Sequence, residues 1–198
     1  MTRVIYIKES KHGEYIAVGI ADGEEKKAFV MPRAIYDSLG APTRGCEISE
    51  DSLSAMSEAN DEYRAMKKAL SLLSYADNSE RGLKMKLLRA GFSREASDAA
   101  VREVVRLGYV NEDSQLERLI VSEANSKLTG PMKLLPKLSA KGYSVSRIKA
   151  VLSRLQDEGV VDFEENRRRL IEKKLDEGAS DEQRQKLLKS FGYKPYGF

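Results

Sequence analysis

A helical pattern that repeats about every 50 residues constrains this chain of 198 residues more than any other feature of its sequence. The stretch Lys86–Ser93 is echoed by Lys137–Ser144 at an offset of 51, and Leu107–Asn111 is echoed by Glu158–Asp162 at the same offset. The glycine–aromatic pair returns at Gly192-Tyr193. Such a period holds three helices, and one unit buries little surface alone, so neighbouring units must stack. The period therefore predicts a mainly α fold, with tandem three-helix repeats in an elongated, curved array.

Apolar periodicity and glycine stops set the expected boundaries of the repeats. After residue 60, apolar residues recur at helical spacing, as at Met66, Ala69 and Leu73. Glycines such as Gly91 and Gly108 follow the helices, because glycine suits the left-handed conformation of a helix C-cap. We divide the chain into a small N-terminal β-rich segment (1–48), a linker or short helix (49–61), two three-helix repeats (62–110 and 111–161) and a partial third repeat (162–198).

Three short stretches near the N-terminus are rich in β-branched and aromatic residues, which is typical of strands. Together they predict a small antiparallel meander. Pro32 then stands where a short helix can begin, since proline is well tolerated in the first turn. The expected strands are 3–8, 14–21 and 27–31, with turns at Lys11-His12-Gly13 and Asp22-Gly23.

Residue types that serve catalysis are scarce. The chain has one histidine, His12, and one cysteine, Cys46, which excludes an internal disulfide framework and a zinc site built from several cysteines. A cysteine–histidine nucleophile would have to combine these two residues. Adjacent carboxylates stand at expected helix starts, where they stabilise the helix dipole. We therefore expect no enzymatic activity, no catalytic residue, no metal and no cofactor.

The chain has no apolar stretch of the length that a membrane span requires. Its N-terminus also lacks the apolar core of a secretory signal. We expect a cytoplasmic monomer that makes no contact with a membrane.

The net charge of +3 is unevenly distributed along the chain. Residues 124–156 carry +7 and no acidic residue, whereas 1–60, 61–123 and 157–198 carry −3, 0 and −1. Such a run fits either an ordinary solvated surface or a face that binds an acidic partner or a nucleic-acid backbone. Five of its basic residues fall at helical spacings that would align them, and we call them the basic face: Lys133, Lys137, Lys141, Arg147 and Arg154.

Other conspicuous residues have structural interpretations. The pairs Gly91-Phe92, Gly142-Tyr143 and Gly192-Tyr193 indicate helix stops with a packing aromatic, rather than a set of base-stacking rings. Pro131 is expected to open a helix, and Pro136 should bend that helix or shift its start. The triplet Arg167, Arg168 and Arg169 lies among glutamates, which favours a solvated helix face.

The ordered motifs of the chain resemble those of the RecX family, the regulators of the bacterial RecA recombinase. The resemblance covers roughly the whole chain and is strongest over residues 66–156. It lies in three sets of motifs: Ala69–Ser74 leading into Leu83–Phe92, Val104–Asp113, and Lys127–Pro131 followed by Leu138–Tyr143.

This resemblance implies a fold of tandem three-helix units and a function without catalytic residues. RecX proteins bind RecA, lie in the groove of its filament on single-stranded DNA, and restrain filament growth, recombinase activity and the co-protease activity of the damage response. The implied partner is therefore the RecA filament on single-stranded DNA, with DNA itself as a further contact.

We hypothesise that the basic face meets acidic RecA surface or DNA phosphates, and that this contact is sensitive to salt. Reversing Lys137, Lys141 and Arg147 to glutamate should then abolish filament binding and leave the helices intact. Two other roles stay open. The chain could be a helical-repeat protein that binds nucleic acid directly, or a scaffold for another protein.

Overall fold

The computed structural model describes residues 1–194, which form a three-stranded sheet and a series of α-helices. The last four residues of the expected third repeat, 195–198, lie outside this range. The strands are β1 (Arg3–Glu9), β2 (Tyr15–Asp22) and β3 (Glu25–Pro32). The helices are α1 (Arg33–Ser38), α2 (Glu50–Tyr75), α3 (Glu80–Arg89), α4 (Arg94–Arg106), α5 (Glu112–Val121), α6 (Pro131–Ala140), α7 (Val145–Asp157), α8 (Phe163–Lys174) and α9 (Asp181–Phe191), with a π-helical turn (Ser122–Ser126) directly after α5.

The N-terminal sheet is the expected antiparallel meander, in the order β1-β2-β3. Tyr6 of β1 lies opposite Gly19 of β2, and a Cβ on Gly19 would overlap the Tyr6 ring. The missing side chain therefore makes room for an aromatic ring across the strand pair. Buried residues of all three strands form one core, which also includes Met56 and Ala59 of α2.

Helix α2 is longer than the sequence predicted. Residues 50–61 were expected to form a linker or short helix before the first repeat, but they are the first half of one 26-residue helix. The segment has neither proline nor glycine, so nothing local ends the helix. The Oδ1 of Asn60 accepts a hydrogen bond from the backbone N–H of Val30 at 3.0 Å, and α2 thereby covers the β3 edge of the sheet.

The helices after α2 keep the sequence period. Helices α3, α6 and α9 begin at residues 80, 131 and 181, and α4 and α7 begin at 94 and 145. The hydroxyls of Ser93 and Ser144, 51 residues apart, cap α4 and α7, and Asn111 and Asp162 cap α5 and α8 at the same offset. The repeated sequence therefore yields repeated helix boundaries, as expected from local capping chemistry.

The glycine–aromatic pairs are helix C-caps, as predicted. In all three the glycine has a positive φ, and the N–H of the following aromatic residue bonds to a carbonyl of the last helical turn. The ring of Tyr143 is buried, and its hydroxyl donates to Oε1 of Gln115. A buried ring is not available for stacking on a base.

Buried positions of the first two repeats correspond at the 51-residue offset but differ in size. In the first repeat α2 and α4 pack through small residues such as Ala65, Ala69 and Ala100. Their counterparts in α5 and α7 are Leu116, Ile120 and Val151. The third repeat has a smaller core around Leu170, Leu188 and Tyr193.

Helices α6 and α9 meet end to end. The N–H groups of Gly130 and Met132, at the start of α6, donate to the carbonyls of Phe191 and Gly192 at 2.7 and 3.0 Å. The first N–H groups and the last carbonyls of a helix have no hydrogen-bond partners within that helix. The carbonyls at the end of α9 therefore supply partners for the N–H groups at the start of α6. We call this contact a helix-end junction.

A second helix-end junction lies 51 residues earlier, between the end of α6 and the start of α3. Here the Ser79 hydroxyl donates to the Lys141 carbonyl at 2.7 Å and accepts from the N–H of Gly82 at 3.0 Å. Residues Ala76–Gly82 accordingly form a compact unit with residues 110–194, while Met1–Tyr75 and Leu83–Tyr109 form another.

The remaining structural expectations have clear outcomes. Helix α6 begins at Pro131, as predicted, and continues through Pro136 without a shifted start. Arg167 and Arg168 pair with glutamates on their own helix, and Arg168 and Arg169 are exposed, whereas the Arg167 side chain is mostly buried. Over residues 1–194, no helix has both the length and the apolar character needed to cross a membrane.

Gly142 tests the junction between α6 and α3. Its φ is +99°, and a Cβ there would lie 2.4 Å from Ser79 Oγ and 2.8 Å from Gly82 N. Gly159 has a φ of +70° in open space. We expect Gly159→Ala to lower the free energy of unfolding by about 1–2 kcal/mol through backbone strain alone. We expect Gly142→Ala to cost about 2 kcal/mol more through overpacking. Urea unfolding followed by circular dichroism measures both, and equal losses would show that the junction does not constrain Gly142.

Candidate partner-binding face

Helices α6 and α7 carry the basic face. A proline at the first position and the glycine–aromatic stop fix the limits of α6, and the Ser144 cap fixes the start of α7. Lys133, Lys137 and Lys141 follow one another along α6 and its C-cap, as their spacing predicted. All three are exposed, but exposure alone does not make a cation available to a partner, and the contacts of each side chain decide that.

The arginines of α7 are paired with acidic residues of α5. Arg147 donates to Glu112 Oε2 at 2.7 Å and to Asp113 Oδ1 at 2.8 Å. The hydrogen bond and charge of Arg147 lower the pKa of the Asp113 carboxyl. Arg154 reaches Glu117 at 2.6 Å and also lies 3.5 Å from Glu158 on its own helix. Both arginines therefore hold α7 against α5.

Lys137 belongs to a buried acidic centre. Glu123, in the π-helical turn, is only 2% exposed, and its carboxylate accepts from Lys127 at 2.8 Å and from Lys137 at 2.6 Å. Thr129 Oγ1 lies 3.3 Å from the same carboxylate. Burial acts to raise the pKa of Glu123, but the hydrogen bonds and charges of the two lysines outweigh it and lower the pKa. Lys137 therefore compensates a buried charge.

The other two lysines of the basic face differ from each other. The ammonium of Lys133 donates to the backbone carbonyl of Ser190, so it is part of the junction between α6 and α9. Lys141 alone of the five has a side chain with no hydrogen bond or ion pair to any residue in 1–194, although its carbonyl accepts from Ser79. The structure brings the five residues onto neighbouring helices without leaving five free positive charges.

Sequence reasoning missed the acids that neutralise this face. Glu112, Asp113 and Glu117 lie just outside the acid-free run, yet α5 packs against α7 and places them beside the arginines. The sequence shows the acids and the arginines on two separate helices, but it does not show that these helices pack side by side.

Sequence reasoning also missed a polar network behind the π-helical turn. Asn125 Nδ2 donates to the carbonyl of Val160 at 2.7 Å, and the buried Asn166 Nδ2 donates to Asn125 Oδ1 at 2.9 Å. The network links the turn after α5 to α8. Asparagines give no periodic signal, so only the fold brings them together.

No other site chemistry emerges from the part of the chain that the structure describes. Within residues 1–194, no group of three or more histidine, cysteine, aspartate or glutamate side chains is arranged to hold a metal ion. Cys46 is exposed, and a hydrogen bond with Thr43 lowers the pKa of its thiol.

Comparison with solved structures finds proteins of similar fold, and two of them are described as RecX. A crystal structure described as regulatory protein RecX superposes with a TM-score of 0.70, over 98% of this chain and 96% of that chain, at 18% sequence identity. The chain has the RecX fold. RecX from Lactobacillus salivarius gives a TM-score of 0.56 over 70% of this chain and 91% of its own, at 19% identity.

The resemblance to RecX proteins inferred from sequence motifs is thus confirmed at the level of the fold. No family model and no curated protein matches the sequence. At this identity the RecX fold persists although most residues differ, which is expected when packing and capping positions define the fold.

Glu123 allows a test of the charge centre within this RecX fold. Removing one member of a fully buried ion pair costs about 3–5 kcal/mol, and the partial exposure of both lysines reduces this to about 2 kcal/mol for Glu123→Gln. Because the folded-state pKa of Glu123 is lowered, its stabilising effect is present at neutral pH and is lost as the pH falls through that pKa. The difference between wild type and variant in the free energy of unfolding should therefore shrink in acid.

Glu117→Gln is the matched control, since Glu117 pairs with Arg154 at a half-exposed position. It should cost less than about 1 kcal/mol. Urea unfolding at neutral and acidic pH measures both variants. Equal losses from the two substitutions would contradict a special role for the buried carboxylate.

Proposed function

We propose that this chain is a non-enzymatic regulator that binds the RecA filament on single-stranded DNA. It inhibits the recombinase, ATPase and co-protease activities of RecA in DNA repair and the SOS response, acting as a cytoplasmic monomer. The observation that carries the proposal is the likeness to regulatory protein RecX, which extends over 98% of this chain and 96% of that one. No part of the proposed activity requires a catalytic residue or a cofactor.

The repeat architecture supports binding to a polymer. A RecA filament presents the same subunit surface at regular intervals, and tandem helical units can present matching surfaces at intervals of their own. Bivalent contact of this kind raises the effective affinity, because the second contact forms at the high local concentration set by the first.

The contacts of the basic face change the residues proposed for the electrostatic part of binding. Arg147, Arg154 and Lys137 already compensate acidic side chains, so a partner would have to displace those pairs. Lys141 and the exposed Lys149 of α7 have no such pairs among the described residues, and we assign them the contact with an acidic surface or with phosphates. Lys133, Lys137, Arg147 and Arg154 then stabilise the fold through their own hydrogen bonds and ion pairs.

This assignment also alters the choice of variants. Reversing Lys137 and Arg147 to glutamate would place like charges beside Glu123, Glu112 and Asp113, and the resulting repulsion would destabilise the helices. Loss of binding in such a variant would not distinguish a lost contact from a lost fold. Lys141→Glu with Lys149→Glu avoids this problem.

ATP hydrolysis by RecA on single-stranded DNA, measured while this protein is titrated in, tests the proposal. We expect hydrolysis to fall and filament growth to stop, with an effect that weakens as salt is raised. Lys141→Glu with Lys149→Glu should weaken filament binding about tenfold. The control pair Lys26→Glu with Lys68→Glu, at exposed positions elsewhere, should behave as wild type.

Three outcomes would contradict parts of the proposal. Unchanged hydrolysis together with no filament binding would favour a scaffold for another protein. Binding to bare single-stranded DNA as tight as to the filament would favour direct nucleic-acid binding. Normal binding by the Lys141/Lys149 variant would reject the assigned lysines and leave the RecA partnership standing.

A further inference from the structure

A pocket of about 550 Å³ opens in the first repeat between α2, α4 and the end of the β-sheet. Its volume falls within the range of about 300–1,000 Å³ that is typical of ligand sites. The floor is largely apolar, with Met66 of α2, Ala99 and Ala100 of α4, and Pro32 at the end of β3. Tyr15 and Tyr63 form one wall, with ring centroids 4.9 Å apart.

The charges at the rim of this pocket are unequally matched. Glu103 is held by Arg106 in two hydrogen bonds of 2.7 Å. Arg102 lies near Asp98, whose pKa is lowered by a hydrogen bond from Lys84 and further by the charge of Arg102. Glu62 is exposed and has no hydrogen bond or ion pair with any residue in 1–194. Arg102 itself makes no hydrogen bond or ion pair with any residue in 1–194, so the rim has one unpaired guanidinium as well as one unpaired carboxylate.

The second repeat shows what is missing at this place. At the offset of 51, Glu62 corresponds to Asp113, and Ala96 of α4 corresponds to Arg147 of α7. In the second repeat Arg147 bridges to Asp113 at 2.8 Å and ties the two helices together. In the first repeat the arginine is replaced by a buried alanine, so the carboxylate remains but its cation does not.

A second difference opens the pocket itself. Arg154 and Glu117 form an ion pair of 2.6 Å across α7 and α5. Their counterparts in the first repeat are Glu103 and Met66, which cannot pair, and both line the pocket. In the second repeat an ion pair spans the space between these helices. In the first repeat the same space is an apolar cleft.

We propose that this pocket binds a lysine or arginine side chain of a partner protein, which gives Glu62 the cation that Arg147 gives to Asp113 in the second repeat. The aliphatic stem packs on Met66, Pro32 and Ala100, as long basic side chains commonly do on apolar surface. The charged group then meets the Glu62 carboxylate and the aromatic wall, where a cation is further stabilised by the ring faces. Burial, together with the neighbouring Tyr63, Glu14 and Glu103, raises the pKa of Tyr15, so the hydroxyl keeps its proton beside the bound cation.

Three six-carbon probes with the same stem test this proposal: hexylammonium, neutral hexanol and hexanoate. Binding is followed through the NMR signals of the Met66 methyl group and the Tyr15 and Tyr63 rings. We expect hexylammonium to bind best and hexanoate worst. Glu62→Gln should weaken hexylammonium binding about fivefold and leave hexanol unchanged. Glu24→Gln, an exposed carboxylate in the β2–β3 turn, should have no effect.

A second pair of variants tests the location. Ala99→Leu fills the cleft and should abolish probe binding, whereas Ala150→Leu adds the same side chain at the corresponding exposed position of α7 and should not. Far-ultraviolet circular dichroism confirms that both variants fold. Binding of hexanol as tight as that of hexylammonium would overturn the proposal, and so would undiminished binding by Ala99→Leu.

Discussion

The structure depends on hydrogen bonds between helix ends. A helix leaves its first N–H groups and last carbonyls without partners, and each must find one elsewhere. Here the end of α9 supplies carbonyls to the start of α6, and the end of α6 supplies one to Ser79 at the start of α3. The close approach requires glycine at Gly130 and Gly142, since a Cβ at either would meet the facing helix end within 2.8 Å. Positions that recur in the sequence repeat therefore also make the hydrogen bonds between helix ends.

The positive charge counted along residues 124–156 is larger than the charge that the folded protein leaves unpaired there. The run 124–156 has no acid, yet its arginines are neutralised by Glu112, Asp113 and Glu117 from the preceding helix. Helices α5 and α7 pack in parallel, which brings together residues 34 to 37 positions apart. A window that begins after α5 cannot include these partners. The consequence for function is that four cations of the basic face stabilise the fold, and Lys141 alone of the five remains for a partner.

Differences between repeats point to function more directly than the features they share. Shared residues, such as the Ser93 and Ser144 caps, serve the fold in each copy. In the second repeat, Arg147 and Arg154 form ion pairs across the space between α5 and α7. The corresponding residues of the first repeat are Ala96 and Glu103, and a pocket is open there. The two copies have the same architecture, but Asp113 of the second is paired with Arg147, whereas Glu62 of the first has no partner among residues 1–194.

The sequence by itself determined the mainly α fold, the β-meander, the period, the caps and the glycine stops. These depend on residues close together in the chain, whose conformational preferences act locally. The same signals led to the RecX fold, while the predicted curvature of the array stays a prediction. Only the tertiary structure decided that α2 runs unbroken from Glu50, that Lys137 compensates the buried Glu123, and that Lys141 keeps a free charge. Ion pairs and helix-end contacts join residues far apart in sequence, so no local pattern specifies them.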